Sequence, residues 1–268
     1  MNVPASNSLL APSSSSEEFR TPSLTVIIPA YNEELRLRST LERIIAYFAE
    51  KSLSPEILVV SDGSTDKTEV IVQEFAEIHS SVHLLTYGEN RGKGFAVRYG
   101  MIRAKGERVL FMDADLATPI EELEKLSAEL DRGTDIAIGS RDVVGSQLEK
   151  RQSFIREFGG RTFNKLVQIV AVPGIHDTQC GFKLFTNRAA HAVFSQCRVD
   201  HFAFDVEVLY LALRVYGLKV TEVPVRWAHQ EGSKVRFVRD AIRMVKTLFK
   251  IRTTSYAPLV AIVKSPQP

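Results

Sequence analysis

The sequence predicts an α/β protein with a largely parallel central sheet, helices on both faces and an amphipathic helix at the C-terminal end. Three observations predict it. Short apolar runs without alternation recur along the first half of the chain, as in strands buried on both faces. Segments with apolar residues at helical period lie between them. The residues directly after the strands are polar, acidic or turn-forming, which is where such a sheet presents a ligand.

Leu24–Pro29 (LTVIIP) reads as the first strand. Asn32-Glu33-Glu34 then opens a helix carrying Leu37, Leu41, Ile44, Ile45 and Phe48 on one face. Glu56–Val60 is the second strand and Thr65–Ile78 the second helix, with Asp66 in its first turn. Val82–Thr86 is the third strand, and Gly92-Lys93-Gly94 leads into a helix reaching about Ala104. Arg108–Met112 is the fourth strand, followed by a helix over Pro119–Leu130 and a strand at Asp135–Ile138. The second half is less regular. It offers a mixed apolar and basic helix at Arg151–Val170, a loop from His176 running into a strand at Phe185, a helix at Phe204–Tyr216, a strand at Val220–Trp227 and a last helix from Val235 to about Ile251. The expected organisation is a flexible tail at residues 1–22, rich in Ser and Pro, one domain over 23–234, and a helical extension over 235–268.

Composition sets limits. With 34 Lys and Arg against 32 Asp and Glu, net charge by itself argues neither for nor against nucleic acid, and no nucleic-acid partner is expected. Two cysteines, Cys180 and Cys197, form no CxxC pair, and the histidines show no zinc spacing; a reducing compartment is expected. No apolar run approaches the roughly 20 residues that span a bilayer. The chain is therefore expected to be soluble or to lie on a membrane surface.

Four segments sit where chemistry is expected. Asp113-Ala114-Asp115 places two carboxylates one residue apart at a strand end, where they could converge on a hard cation that also binds a diphosphate. A lone pair of this kind is equally a solvated turn, and its place after the fourth apolar strand is what favours the metal. Asp62 heads SDGSTD and could accept a hydrogen bond from a base N–H, while Ser64 or Thr65 caps the next helix. Pro29-Ala30-Tyr31-Asn32-Glu33 could face a base and a ribose, or could simply end a strand and cap a helix with Asn32; both readings stay open. Arg91-Gly92-Lys93-Gly94 resembles a phosphate cradle but lacks the spacing of a P-loop or a dinucleotide fold.

PAYNE, SDGSTD, NRGKG, DADLATP, GSR, DTQCGFKLF, FAFDVEVLY and EGSK occur in the order seen in inverting family 2 glycosyltransferases of the GT-A fold. From Leu24 to Lys234 the chain resembles the polyprenyl-phosphate sugar synthases, and among them the dolichyl-phosphate β-glucosyltransferases. That resemblance implies that Pro29, Tyr31, Glu33 and Asp62 hold the uridine of UDP-glucose, that Lys93 and Ala114 lie beside the nucleotide, and that Asp113 and Asp115 bind Mg²⁺ or Mn²⁺. It implies that Arg141, Arg156, Gln179 and Lys234 meet a polyprenyl phosphate acceptor, and that Asp115, Asp177 and Asp205 are the catalytic carboxylates. A lipid phosphate is already ionised near neutral pH and needs no general base, so Asp205 or Glu207 could instead orient sugar hydroxyls. The family usually begins with a membrane-spanning helix, and no apolar run of that length is read in this sequence; its mannosyl relatives carry an Arg where Ala228-His229-Gln230-Glu231 stands here.

The last helix bears on the membrane. Val238, Ala241, Ile242, Val245, Leu248 and Phe249 share one face, and Arg236, Arg239, Arg243, Lys246 and Lys250 the other. Such a helix suits an anionic membrane surface or, equally, packs on the domain with its cations in water. Peripheral attachment at the cytoplasmic face, directly or through a membrane partner protein, is the expectation. The rivals are a soluble glycosyltransferase with an alcohol or protein acceptor and a non-catalytic nucleotide-sugar binder.

Overall fold

The computed structural model describes residues 21–150, 165–230 and 237–256, with the side chains of 148–150 and 237–242 left aside. Arg156, Lys234, most of the expected Arg151–Val170 helix and residues 1–20 lie outside it.

The elements run β1 (Leu24–Ala30), α1 (Leu37–Glu50), β2 (Glu56–Ser61), α2 (Thr68–Ile78), β3 (Val82–Thr86), α3 (Lys93–Met101), β4 (Arg108–Met112), a 3₁₀ turn at Ile120–Glu122, α4 (Leu123–Asp131), β5 (Ile136–Ser140) and β6 (Gln147–Lys150). After a helical stretch at residues 165–170 (α5) come β7 (Phe182–Thr186), α6 (Asn187–Phe194), α7 (Phe204–Tyr210) with a π turn at Leu211–Val215, β8 (Val220–Pro224), β9 (Arg226–Ala228) and α8 (Phe237–Thr253). Seven strands form one sheet in the order β3-β2-β1-β4-β7-β5-β8. All pairings are parallel except those of β7, which runs antiparallel between β4 and β5.

Adjacent residues of the strands face opposite layers. On one side Ile27, Val60, Val109 and Phe111 pack with α3, α6 and α7. On the other, Val26, Ile28, Val59, Leu110 and Met112 pack with α1, α2 and α4. The unbroken apolar runs follow from this double burial. Leu248 and Ile251 of α8 join the first layer, so the last helix is docked on the domain.

Several local expectations need correction. The helix foreseen from Asn32 starts at Leu37, and Asn32 does not cap it; Asn32 sits at φ 52° and its side chain accepts from the Thr65 N–H at 2.7 Å. The second helix starts at Thr68, and Asp66 rather than Ser64 or Thr65 receives its first N–H, from Thr68 at 2.9 Å. The single strand foreseen over Val220–Trp227 is two strands in two sheets: β8 joins the main sheet and β9 pairs with β6. Helix α6, capped by the Thr186 hydroxyl, was not foreseen.

Candidate active site

Strand order reverses between β1 and β4, the point at which a sheet of this kind takes its ligand in a crevice beyond the carboxyl ends of the strands. The loops after β1 and β2 are stitched together at its rim. Asn32 N–H donates to Ser64 Oγ at 3.1 Å and Glu33 N–H to Thr68 Oγ1 at 2.7 Å. Pro29 is part-buried here and Tyr31 exposed. Glu33 accepts from the Arg36 guanidinium at 2.6 Å, and the same guanidinium reaches to 3.9 Å from Asp115.

Asp62, at the end of β2, is buried rather than open. It accepts from Tyr87 Oη at 2.7 Å, from the Arg91 N–H at 2.7 Å and from the Gly92 N–H at 2.9 Å. Burial and the Asp62 carboxylate together push the Tyr87 phenol well above its ordinary range. The turn that brings the 87–92 loop so close needs a glycine: Gly63 lies at φ 68°, and a Cβ there would overlap the backbone of Glu89 and Asn90.

After β4, Asp113 forms an ion pair with Lys93 Nζ at 2.6 Å. Burial pulls the Lys93 ammonium down, but the carboxylates of Asp113, Asp205 and Asp115 outweigh it and hold the group above its ordinary range. Asp115 accepts from the Ala117 N–H at 3.0 Å, and the next residue, Leu116, adopts φ 52°, an unusual conformation for a branched side chain. Burial, with the charge of Asp113 beside it, raises the Asp115 carboxyl. Ala114 is buried, and its carbonyl accepts from Thr40 Oγ1 at 2.8 Å.

Do these residues fit a divalent cation? Two hard oxygen donors, 33% and 25% exposed, stand on either side of Ala114 just after β4, and the charge of Asp113 disfavours that of Asp115. Among the described residues no third His, Cys, Asp or Glu completes a cage. That donor set fits Mg²⁺ or Mn²⁺, which take most of their remaining ligands from phosphate and water.

The antiparallel β7 brings a further loop to the same place, because its first residues lie level with the end of β4 (Met112↔Phe182). The Asp113 N–H donates to the Gly181 carbonyl at 3.0 Å, and a Cβ at Gly181 would overlap the Asp113 carboxylate. Asp177, in the same loop, was expected to face sugar or acceptor. Its carboxylate is instead fully buried and grips Arg141 side-on, Oδ2 to Nε at 2.7 Å and Oδ1 to Nη2 at 2.8 Å. Burial raises this carboxyl, but Arg141 more than reverses the effect and holds it below its ordinary range. The Gln179 N–H also donates to Asp177, at 3.2 Å. Glu222 of β8 supports the loop from behind by accepting the Asp177 N–H at 2.9 Å.

Asp205, at the start of α7, is 4% exposed and paired with Lys183 Nζ at 2.6 Å; Lys183 is itself buried and also donates to the Cys180 carbonyl at 2.5 Å. Burial raises the Asp205 carboxyl and the two lysines oppose it. Glu207 is the other candidate for orienting sugar hydroxyls. It is sealed in the interior, accepting from the Arg198 and Val199 N–H groups at 2.9 and 2.8 Å and from Tyr256 Oη at 2.7 Å.

The structure thus brings Glu33, Lys93, Asp113, Asp115 and, through Lys93, Asp205 into one electrostatic cluster, with Arg141 and Asp177 as a second pair at the end of β5. Sequence reasoning missed Arg36, Lys183 and Trp227. Only Lys183 carried a signal, as a cation inside the apolar run FKLF.

A family model described as "Glycosyl transferase family 2" matches residues 25–194. The dolichyl-phosphate beta-glucosyltransferase of Drosophila melanogaster is 42% identical over 241 residues, covering 85% of this chain and 74% of that protein. The enzyme of the same name from Dictyostelium discoideum is 39% identical over 241 residues, covering 85% and 73%. Among solved structures, the glucosyl-3-phosphoglycerate synthase of Mycobacterium tuberculosis, in a complex with Mn²⁺, UDP and glucosyl-3-phosphoglycerate, aligns with a TM-score of 0.65 at 18% identity, covering 87% of this chain and 81% of that one. At that identity the likeness is one of fold.

Proposed function

This chain belongs to glycosyl transferase family 2, and from that premise we propose that it moves glucose from UDP-glucose to a dolichyl-type polyprenyl phosphate, with inversion at the anomeric carbon. The observation that carries the proposal is the pairing of two partly open carboxylates, Asp113 and Asp115, with an arginine, Arg141, along one end of the sheet. One part of the crevice suits a cation and a diphosphate, and the other an anionic acceptor.

On the donor side, Pro29, Tyr31 and Glu33 receive the uridine, and Asp62 acts by holding the 87–92 loop against it. Lys93 offers its ammonium to the diphosphate from its place beside Asp113. A divalent cation held by Asp113 and Asp115 would supply positive charge to the departing UDP. On the acceptor side, Asp177 is a positioning residue that aims Arg141 at the lipid phosphate, with Gln179 on the same loop and Arg156 and Lys234 outside the described residues. The phosphate oxygen forms its bond to the anomeric carbon as the bond to UDP breaks, and no proton need move.

An alcohol acceptor would need a base. Asp205, sealed against Lys183, is not presented as one, which supports an acceptor that arrives ionised. The acceptor's lipid places the reaction at a membrane surface, and the cytoplasmic face suits a chain with two free buried cysteines. Among the described residues no helix is long and apolar enough to cross a membrane. Exposed Arg243, Lys246 and Lys250 of α8 would each contribute about 1 kcal/mol near an anionic leaflet.

The test is substitution of the carboxylates. Asp113→Asn and Asp115→Asn should each lower transfer by two or more orders of magnitude, roughly the loss of several kcal/mol of charge stabilisation, with the circular dichroism of the fold unchanged. Full activity of both variants in excess chelator would remove the cation from the mechanism.

A further inference from the structure

Arg141 is held on two sides. Asp177 takes Nε and Nη2 in the plane of the guanidinium, and Cζ lies over the Trp227 ring, 5.3 Å from its centroid. Among the described residues Nη1 makes no hydrogen bond, so the end-on edge remains available to an anion. Two in-plane bonds leave the guanidinium able to tilt about the axis through Asp177, and an aromatic face above it limits that tilt.

Trp227 is itself fixed by its neighbours. The Arg226 side chain donates to Glu122 at 2.7 Å, and the Ala228 N–H donates to the Ala117 carbonyl at 2.9 Å. Ala117 is the residue whose own N–H is held by Asp115. Strand β9 also pairs with β6, Leu148↔Trp227, just beyond the loop that carries Arg141. The strand that carries the indole is therefore tied to the segment after the proposed cation ligands, while the indole itself lies against the arginine of the acceptor side.

We propose that Trp227 is a positioning residue of the acceptor subsite, holding the Arg141 guanidinium in the plane set by Asp177 so that its end-on edge meets the acceptor phosphate. This rests on the reading of Arg141 as an acceptor ligand. Trp227 is the single Trp of the chain, so its emission reports on this place alone.

Farnesyl phosphate serves as a short acceptor for the full chain with saturating UDP-glucose and Mn²⁺. Trp227→Leu should raise KM for farnesyl phosphate roughly 3- to 30-fold, with kcat and UDP affinity unchanged. Trp227→Phe, which keeps an aromatic face, should recover most of the loss. In the unsubstituted chain, farnesyl phosphate should change tryptophan emission saturably, and Arg141→Ala should abolish that change. If Arg141→Ala raises KM but Trp227→Leu does not, Trp227 is a packing residue and the inference fails while the acceptor reading stands. If Arg141→Ala leaves KM unaltered, the acceptor reading fails and takes the inference with it. If Trp227→Leu does not fold, emission of the unsubstituted chain decides: no change at saturation overturns the proposal.

Discussion

A single missing side chain shapes the proposed cation site. Gly181 lets the loop before β7 press on Asp113, where a Cβ would overlap the carboxylate. Gly181→Ala should therefore move Asp113 and weaken Mn²⁺ binding by about tenfold or more, as outer contacts of metal ligands do, while thermal unfolding changes little. Mn²⁺ affinity equal to that of the unsubstituted chain, read by electron paramagnetic resonance, would contradict this. Asp177 matters in a different way, through a buried ion pair. Asp177→Ala leaves Arg141 without its partner and should cost about 3–5 kcal/mol near neutral pH. Because folding lowers the Asp177 carboxyl below 3.8, its contribution is complete above that pH and is lost as pH falls through the folded value. The gap between the two proteins in urea unfolding should therefore hold from about pH 7 to about pH 4 and narrow as pH falls below that; a gap that stays constant at lower pH would show that the charge is not what matters. At this scale the sequence disclosed residue types better than their states. Asp113, Asp115 and Arg141 are visible because strand ends are, but nothing in DTQCGFKLF says that Asp177 is sealed against Arg141 or that Lys183 is sealed against Asp205. Those pairings join residues 36 and 22 positions apart and depend on the path of the chain between them.

Elements were legible wherever burial dictates pattern. β1, β2 and β4 lie where apolar runs place them, since both faces of the sheet are covered there, and β3 keeps its expected bounds at the partly open edge. The direction of β7 was not legible, because periodicity carries no orientation, and that reversal is what delivers Gly181 and Asp177 to the site. β8 and β9 were merged because Val220–Trp227 keeps a strand-like composition across the break after Pro224. Helix α8 shows the limit of a helical wheel. Leu248 and Phe249 were expected to share a face, yet Leu248 is buried in the core and Phe249 is 55% exposed. The helix therefore packs on the domain, and the side it turns outward carries Arg243, Lys246, Lys250 and Phe249. Replacing the three cations with Glu should release the protein from liposomes of anionic lipid and lower transfer to a long polyprenyl phosphate, leaving UDP affinity unchanged. Unaltered sedimentation with such liposomes would make α8 a packing element only.

Taken whole, the molecule places opposite requirements along one edge of a rigid sheet. Two core layers fix β1, β4 and β5, so the loops beyond them can hold strained or charged residues such as Leu116 and Lys93 without loss of the fold. The carboxylates proposed to hold the cation stand at the strand-order reversal, and the arginine proposed to meet the acceptor stands two strands away, across β7. The measurement that tests this arrangement most directly is transfer itself: the purified chain, radiolabelled UDP-glucose, Mn²⁺ and dolichyl phosphate in anionic vesicles, followed by organic extraction. Label is expected in the lipid phase as an acid-labile glucosyl phosphate, lost with chelator and with Asp115→Asn. Label that stays in the aqueous phase under all conditions, while UDP still binds, would contradict it.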